Sequence, residues 1–145
     1  MDQILSLGWT QADAHARRAS YRRLLAVNLV VTALIGLLAI ILPASLAHLL
    51  GLPVAFPSGW PRAWGGMVLL AALLYLAGWF DPVRARWANV IGIAGRAGMA
   101  LLYLLIAICG DVRGFLWLAL NDGGFAAALA VSYFRLFRAV LMSRP

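Results

Sequence analysis

Residues 24–42 read LLAVNLVVTALIGLLAIIL, nineteen consecutive positions without a charged side chain. A helix rises about 1.5 Å per residue, so such a run is about long enough to cross a hydrocarbon core roughly 30 Å thick. Three more runs repeat the pattern: Ala63–Phe80, Ala88–Cys109 and Phe115–Phe134. The expected fold is an all-α integral membrane four-helix bundle, with an N-terminal interfacial helix before the first span and a short outer interfacial helix after it.

Composition agrees. Hydrophobic residues make up 64% of the 145 positions and charged residues only 12%, with a mean hydropathy of +0.90. That leaves too little polar surface to coat a soluble globule. The connections are too short for a second core. The chain therefore divides into a cytoplasmic amphipathic segment over 1–23, a four-span domain over 24–138 and a cytoplasmic tail over 139–145.

The formal charge of +7 comes from twelve arginines and no lysine against five aspartates and no glutamate. In a soluble chain a pI near 11.1 would suggest nucleic acid. Here the arginines sit where membrane topology needs them, and no nucleic-acid partner is expected. Arg17, Arg18, Arg22, Arg23, Arg84, Arg86, Arg135, Arg138 and Arg144 fall on one side of the spans, and only Arg62 and Arg113 on the other. By the positive-inside rule both termini of this multi-pass chain are expected to be cytoplasmic. Tryptophans prefer the interface and support the same map, with Trp60, Trp64 and Trp117 at the outer ends and Trp79 and Trp87 at the inner ends. A cleavable signal peptide ending near Ser45-Leu46-Ala47 is the alternative for the first run, but nineteen residues exceed the roughly 7–15 of a signal core.

Local chemistry adds detail. Ile4, Leu5, Leu7 and Trp9 can lie on the inner leaflet, and Thr10-Gln11-Ala12-Asp13 reads as a variant capping box starting a helix near Gln11. Pro43 ends the first span. Leu46, Leu49, Leu50 and Leu52 then recur at helical spacing, so Ala44–Leu50 is expected to form a short helix capped by Gly51, with Pro53, Pro57 and Pro61 stiffening the stretch to Arg62. This connection either covers a cavity, docks a partner or packs on the helix ends. The tight links Asp81–Arg86 and Gly110–Gly114, the latter including Asp111, make hairpins of the later spans. Gly92, Gly95 and Gly98, with Ala94 and Ala97, place the third span at the bundle centre.

Two full charges lie within the runs, Arg96 and Asp122, and each costs about 2.5–3.5 kcal/mol at membrane depth on insertion scales. Arg96 lies about 13 Å above Trp87 and Asp122 about 10 Å below Phe115, so their backbones differ by about 7 Å in height, within reach of an extended arginine. They are expected to form either a structural ion pair or a ligand-binding pocket, with Tyr75, Tyr103 and Asn121 as supporting polar residues. Asn121-Asp122-Gly123-Gly124 would spell a turn in water, so a break in the fourth helix is expected there. The competing reading starts that helix only near Gly123, makes Asp122 its cap and carries it on to Met142.

Catalytic patterns are lacking. His15 and His48 fall at opposite faces, no His/Cys/carboxylate cluster has metal spacing, and a phosphate loop needs the lysine this chain does not have. The lone Cys109 excludes an internal disulfide. No metal or cofactor is expected, and a non-catalytic role is read ahead of a membrane enzyme, which stays open as a third alternative.

The order of features resembles the small four-span DoxX-like bacterial membrane proteins. It runs from a helix ending at Pro43 through Leu49-Leu50-Gly51-Leu52-Pro53, Arg62-Ala63-Trp64-Gly65-Gly66 and Gly95-Arg96 to an acidic residue in the fourth span. The resemblance covers about Leu24–Arg138. It implies Arg62, Arg96 and Asp122 as polar positions and a link to quinone-dependent oxidoreductases, of which some members are subunits. The function expected is that of a non-catalytic accessory or structural subunit of a larger, quinone-linked inner-membrane complex, partnered by lipid and by other membrane subunits or a second copy. The alternative is a small transporter or a lipid- or quinone-binding membrane protein using the Arg96/Asp122 pocket.

Overall fold

The computed structural model describes residues 2–54, 58–110 and 112–143, with side chains from Thr10 onward. Pro57, Asp111 and Arg144, and the side chains of Ile4, Leu5, Leu7 and Trp9, lie outside the described residues. Five helices follow one another: α1 (Asp2–Ile41), α2 (Pro43–Leu50), α3 (Gly59–Phe80), α4 (Arg86–Cys109) and α5 (Phe115–Met142). All but α2 are long and apolar enough to cross a membrane. Large apolar side chains such as Leu34, Leu74, Ile91 and Phe134 face outward from them. In water those faces would aggregate, whereas in a bilayer they match the solvent.

The N-terminal segment and the first span form one continuous helix. Thr10–Asp13 therefore lies inside α1 rather than capping a new start at Gln11. Alanine and arginine, both good helix formers, dominate the stretch that follows, and Asp13 pairs with Arg17 one turn on at 3.2 Å. At the other end, α2 begins with Pro43 in its first turn and stops at Gly51, whose φ of 66° is left-handed. Leu52 N–H donates to the Ala47 carbonyl at 2.8 Å and Gly51 N–H to that of His48 at 3.2 Å. This paired closure satisfies carbonyls that the helix end would otherwise strand.

The fourth span has no break. Residues 121–124 are α-helical within α5, which corrects the expectation of a loosened segment. Asparagine and aspartate make turns in water by bonding nearby backbone. Here Asp122 instead accepts hydrogen bonds from Arg96 and from the Asn121 side-chain amide, so nothing competes with the helix's own ladder, and lipid supplies no substitute partner for a freed backbone group. Because α5 begins at Phe115, Asp122 is an interior residue rather than a cap, yet the helix does reach Met142 and carries Arg135 and Arg138 with it.

The packing order also differs from expectation. Going round the bundle, α3 lies against α1, α1 against α5 and α5 against α4, while the direct contact between α3 and α4 is slight. The third span, α4, is not central. Its Gly95 and Gly98 open outward, with nothing within 4 Å of a Cβ placed there. Gly92 alone of the helix's three glycines is packed, leaving room for the Tyr75 ring of α3 that a Cβ would displace, while backbone meets backbone between α1 and α3, where a Cβ on Gly36 would lie 3.1 Å from the Gly65 carbonyl oxygen. The apolar core is built between α1 and α5 from Tyr21, Leu25, Leu129 and Leu136.

A polar knot ties the end of the bundle that carries the α3–α4 turn. Asp81 accepts from the backbone N–H groups of Val83 and Arg84 and pairs with Arg18 of α1 at 3.3 Å. Buried Tyr21 donates to Asn89 Oδ1 at 2.8 Å, and the Asn89 amide donates to the Pro82 carbonyl at 3.2 Å.

Candidate functional site

Arg96 projects from α4 into the bundle and is only 6% exposed. A guanidinium cannot discharge itself at any ordinary pH, so it must be matched by partners. It forms an ion pair with Asp122 of α5, and its second terminal amine donates to the hydroxyl of Thr32 on α1. That hydroxyl donates in turn to the Asn28 carbonyl at 2.7 Å. The rings of Tyr75 and Phe125 flank the guanidinium with centroids 5.7 and 5.5 Å away, a distance at which an aromatic face attracts a cation. Three of the long helices thus converge on one charge.

Two amphipathic polar groups stand beside the pair. Trp64 Nε1 donates to the Tyr103 hydroxyl at 3.1 Å, which leaves the Tyr103 O–H proton available to a further acceptor. Asn121 bonds Asp122 through its amide nitrogen at 3.3 Å. Thr32, Trp64, Arg96, Tyr103, Asn121 and Asp122 together line a cavity of about 40 Å³, room for a water or a small polar group. Among the described residues, Arg96 Nε and both atoms of the Asn28 amide are buried without a hydrogen-bond partner.

This small cavity adjoins a much larger one. A pocket of about 490 Å³ lies beneath α2, walled by Pro43, Leu46 and Leu50, by Trp60 on α3 and by Met99 and Leu102 on α4. Trp64, Tyr103 and Leu118 border both spaces. The connection after the first span therefore covers a pocket. An apolar chamber of that size with a few polar groups at its base has the character of a small-molecule site. Its base carries one positive and one negative charge, and they offset each other.

The candidate residues do not all meet here. Arg96, Asp122, Tyr103 and Asn121 share the cavity. Tyr75 contributes its ring face, but its hydroxyl donates to the Gly92 carbonyl at 2.7 Å, bracing α3 on α4. Arg62 lies exposed in the first turn of α3 and lines neither space. Thr32, Asn28 and Trp64 had not been singled out as site residues. Asn28 and Thr32 carried a usable signal, being two polar residues four apart, hence on one helical face, in an otherwise apolar run.

Fold and site together define a multi-pass helical membrane protein with a buried, charge-balanced polar centre under an apolar pocket. Compared with protein-family models, with curated proteins and with solved structures, the chain matches none of them.

Proposed function

We propose that the chain binds a membrane-resident amphiphile with a neutral polar head, of the quinone class. The observation that carries this reading is the junction of the 490 Å³ apolar pocket with the Arg96/Asp122 cavity through Trp64 and Tyr103. An isoprenoid or acyl tail suits the chamber, and a carbonyl oxygen suits the Tyr103 hydroxyl. Offset charges at the base favour a neutral head over a phosphate, which would need a surplus of positive charge. The sequence resemblance to DoxX-like proteins leans the same way.

Quinone titration of the purified protein in detergent, read by tryptophan fluorescence, tests the proposal. Quenching should saturate, should shrink in Trp64→Phe, and should need about fivefold more ligand in Tyr103→Phe, the equivalent of about 1 kcal/mol for one lost hydrogen bond. Ala47→Phe should abolish it by filling the chamber. Linear, unsaturable quenching unaltered by these changes would sink the idea.

A second reading, an accessory subunit of a larger inner-membrane complex, is supported by the outward α4 face at Gly95 and Gly98, where a partner helix could approach closely. Gly95→Leu with Gly98→Leu should then abolish a large assembly recovered from native membranes, while Asp122→Asn leaves it intact. Equal recovery of that assembly from the glycine variants would count against the reading.

A further inference from the structure

A second, separate groove lies between α1 and α5, toward the end of the bundle that carries the α3–α4 turn. It encloses about 650 Å³ and is polar at one end and apolar along its length. Arg17 and Ser20 of α1 and Ser132 and Arg135 of α5 form the polar end, while Leu24, Gly124 and Ala128 belong to the apolar stretch. The spacing follows from helix geometry. Positions 17, 20 and 24 share one face of α1, and 124, 128 and 135 share one face of α5. A Cβ on Gly124 would meet nothing within 4 Å, so this groove is open space that a long chain can occupy. A second lobe of about 450 Å³ shares Arg135 and runs on to Arg138.

Charge distinguishes the groove from the pocket under α2. Asp13 is the carboxylate paired with Arg17, at 3.2 Å through Nε, and among the described residues the terminal amines of that guanidinium are left uncommitted. Among the described residues Arg135 and Arg138 form no ion pair. The polar end therefore carries a net positive charge beside an apolar trough, which is the complement of an anionic headgroup attached to an acyl chain. The arginine-rich end of a membrane protein faces the cytoplasmic leaflet, where anionic lipids are attracted by basic clusters.

We propose that this groove seats one anionic phospholipid of the inner leaflet, its phosphate held by Arg17 and Arg135 and an acyl chain lying along Leu24, Gly124 and Ala128. A zwitterionic lipid fits the trough but offers no net charge to the arginines. A free phosphate fits the arginines but leaves the trough empty.

Native mass spectrometry of the purified full chain in detergent, titrated with phosphatidylglycerol, phosphatidylcholine or inorganic phosphate, tests this. Phosphatidylglycerol should bind at least about fivefold more tightly than phosphatidylcholine. Arg17→Gln and Arg135→Gln should each weaken it about fivefold, the ratio that corresponds to about 1 kcal/mol per arginine near an anionic surface. Gly124→Leu should weaken it with every arginine present, because the new side chain fills the trough. Arg135→Lys should keep most of the binding, and Arg113→Gln, on an exposed residue outside the groove, should keep all of it. Should a glutamine variant not fold, Gly124→Leu and Arg135→Lys decide the matter. Equal retention of phosphatidylcholine would reduce the groove to ordinary lipid contact. Displacement by millimolar phosphate, or full binding by Gly124→Leu, would equally overturn the proposal.

Discussion

A Cβ on Gly65 of α3 would lie 2.6 Å from the carbonyl oxygen of Gly36 on α1. No real side chain tolerates that separation, so the two helices touch backbone to backbone. In lipid, where apolar side chains gain little by leaving one apolar medium for another, such contacts supply much of the attraction between helices.

Gly65→Ala should therefore destabilise the bundle by about 1–3 kcal/mol, the usual range for overpacking. Its sequence neighbour Gly66 has open space where a Cβ would go, and Gly66→Ala should be close to neutral. Unfolding in mixed detergent micelles would compare the two, and equal losses would show that the Gly36–Gly65 contact is not limiting.

At the buried ion pair, Arg96→Leu and Asp122→Leu should each cost about 3–5 kcal/mol, because each strands the other charge. The double variant should recover at least about 1 kcal/mol relative to the sum. Strict additivity would mean that the two residues act independently. Thr32→Val should show a smaller loss, since Arg96 keeps its carboxylate.

Asp81 should make the α3–α4 turn sensitive to acid. Hydrogen bonds from the Arg84 and Val83 backbone N–H groups, with the positive charges of Arg18 and Arg84, hold its carboxyl below the usual carboxylate range, partly offset by desolvation. A group whose pKa is lower folded than unfolded contributes stability above its unfolded value of about 3.9 and loses it as the pH falls through the folded value. Thermal midpoints in detergent should therefore fall more steeply with acid below about pH 4 for the parent than for Asp81→Asn. Parallel profiles would remove Asp81 from the account.

Reporter fusions should place both ends of the chain and the Arg84/Arg86 turn in the cytoplasm, as nine arginines against two require. A periplasmic signal at any of these points would reverse the map, and with it the leaflet assigned to the α1/α5 groove.

The spans were legible because a bilayer imposes a length, and α2 because Pro43 and Gly51 mark its ends by local chemistry. Arg96 and Asp122 stood out for the cost of charge at depth, and the structure joins them. Their neighbours were harder to read. Threonine and asparagine carry no charge, so Thr32 and Asn28 drew no notice as single residues in the first span, although their spacing of four put both on one face. The packing order was not legible either. Clustered glycines in α4 advertised close approach, but only Gly92 takes a neighbour, the Tyr75 ring, and the backbone-to-backbone contact that forms uses Gly36 and Gly65. Asn121–Gly124 misled because turn preference reflects side chains bonding their own nearby backbone, and here the Asp122 carboxylate is taken by Arg96 and the Asn121 amide instead.

The backbones of α3 and α4 touch little, and side-chain hydrogen bonds such as Tyr75–Gly92 and Trp64–Tyr103 close the seam, which bears on how the amphiphile proposed above would reach the pocket those helices help to wall. An amphiphile that passes through this seam arrives sideways from the bilayer and never crosses water. Its effective concentration is then its mole fraction among lipids, far above anything it attains in the aqueous phase. A site filled by that route stays occupied with only modest intrinsic affinity, and its exchange rate is set by lateral diffusion and by how readily α3 and α4 part.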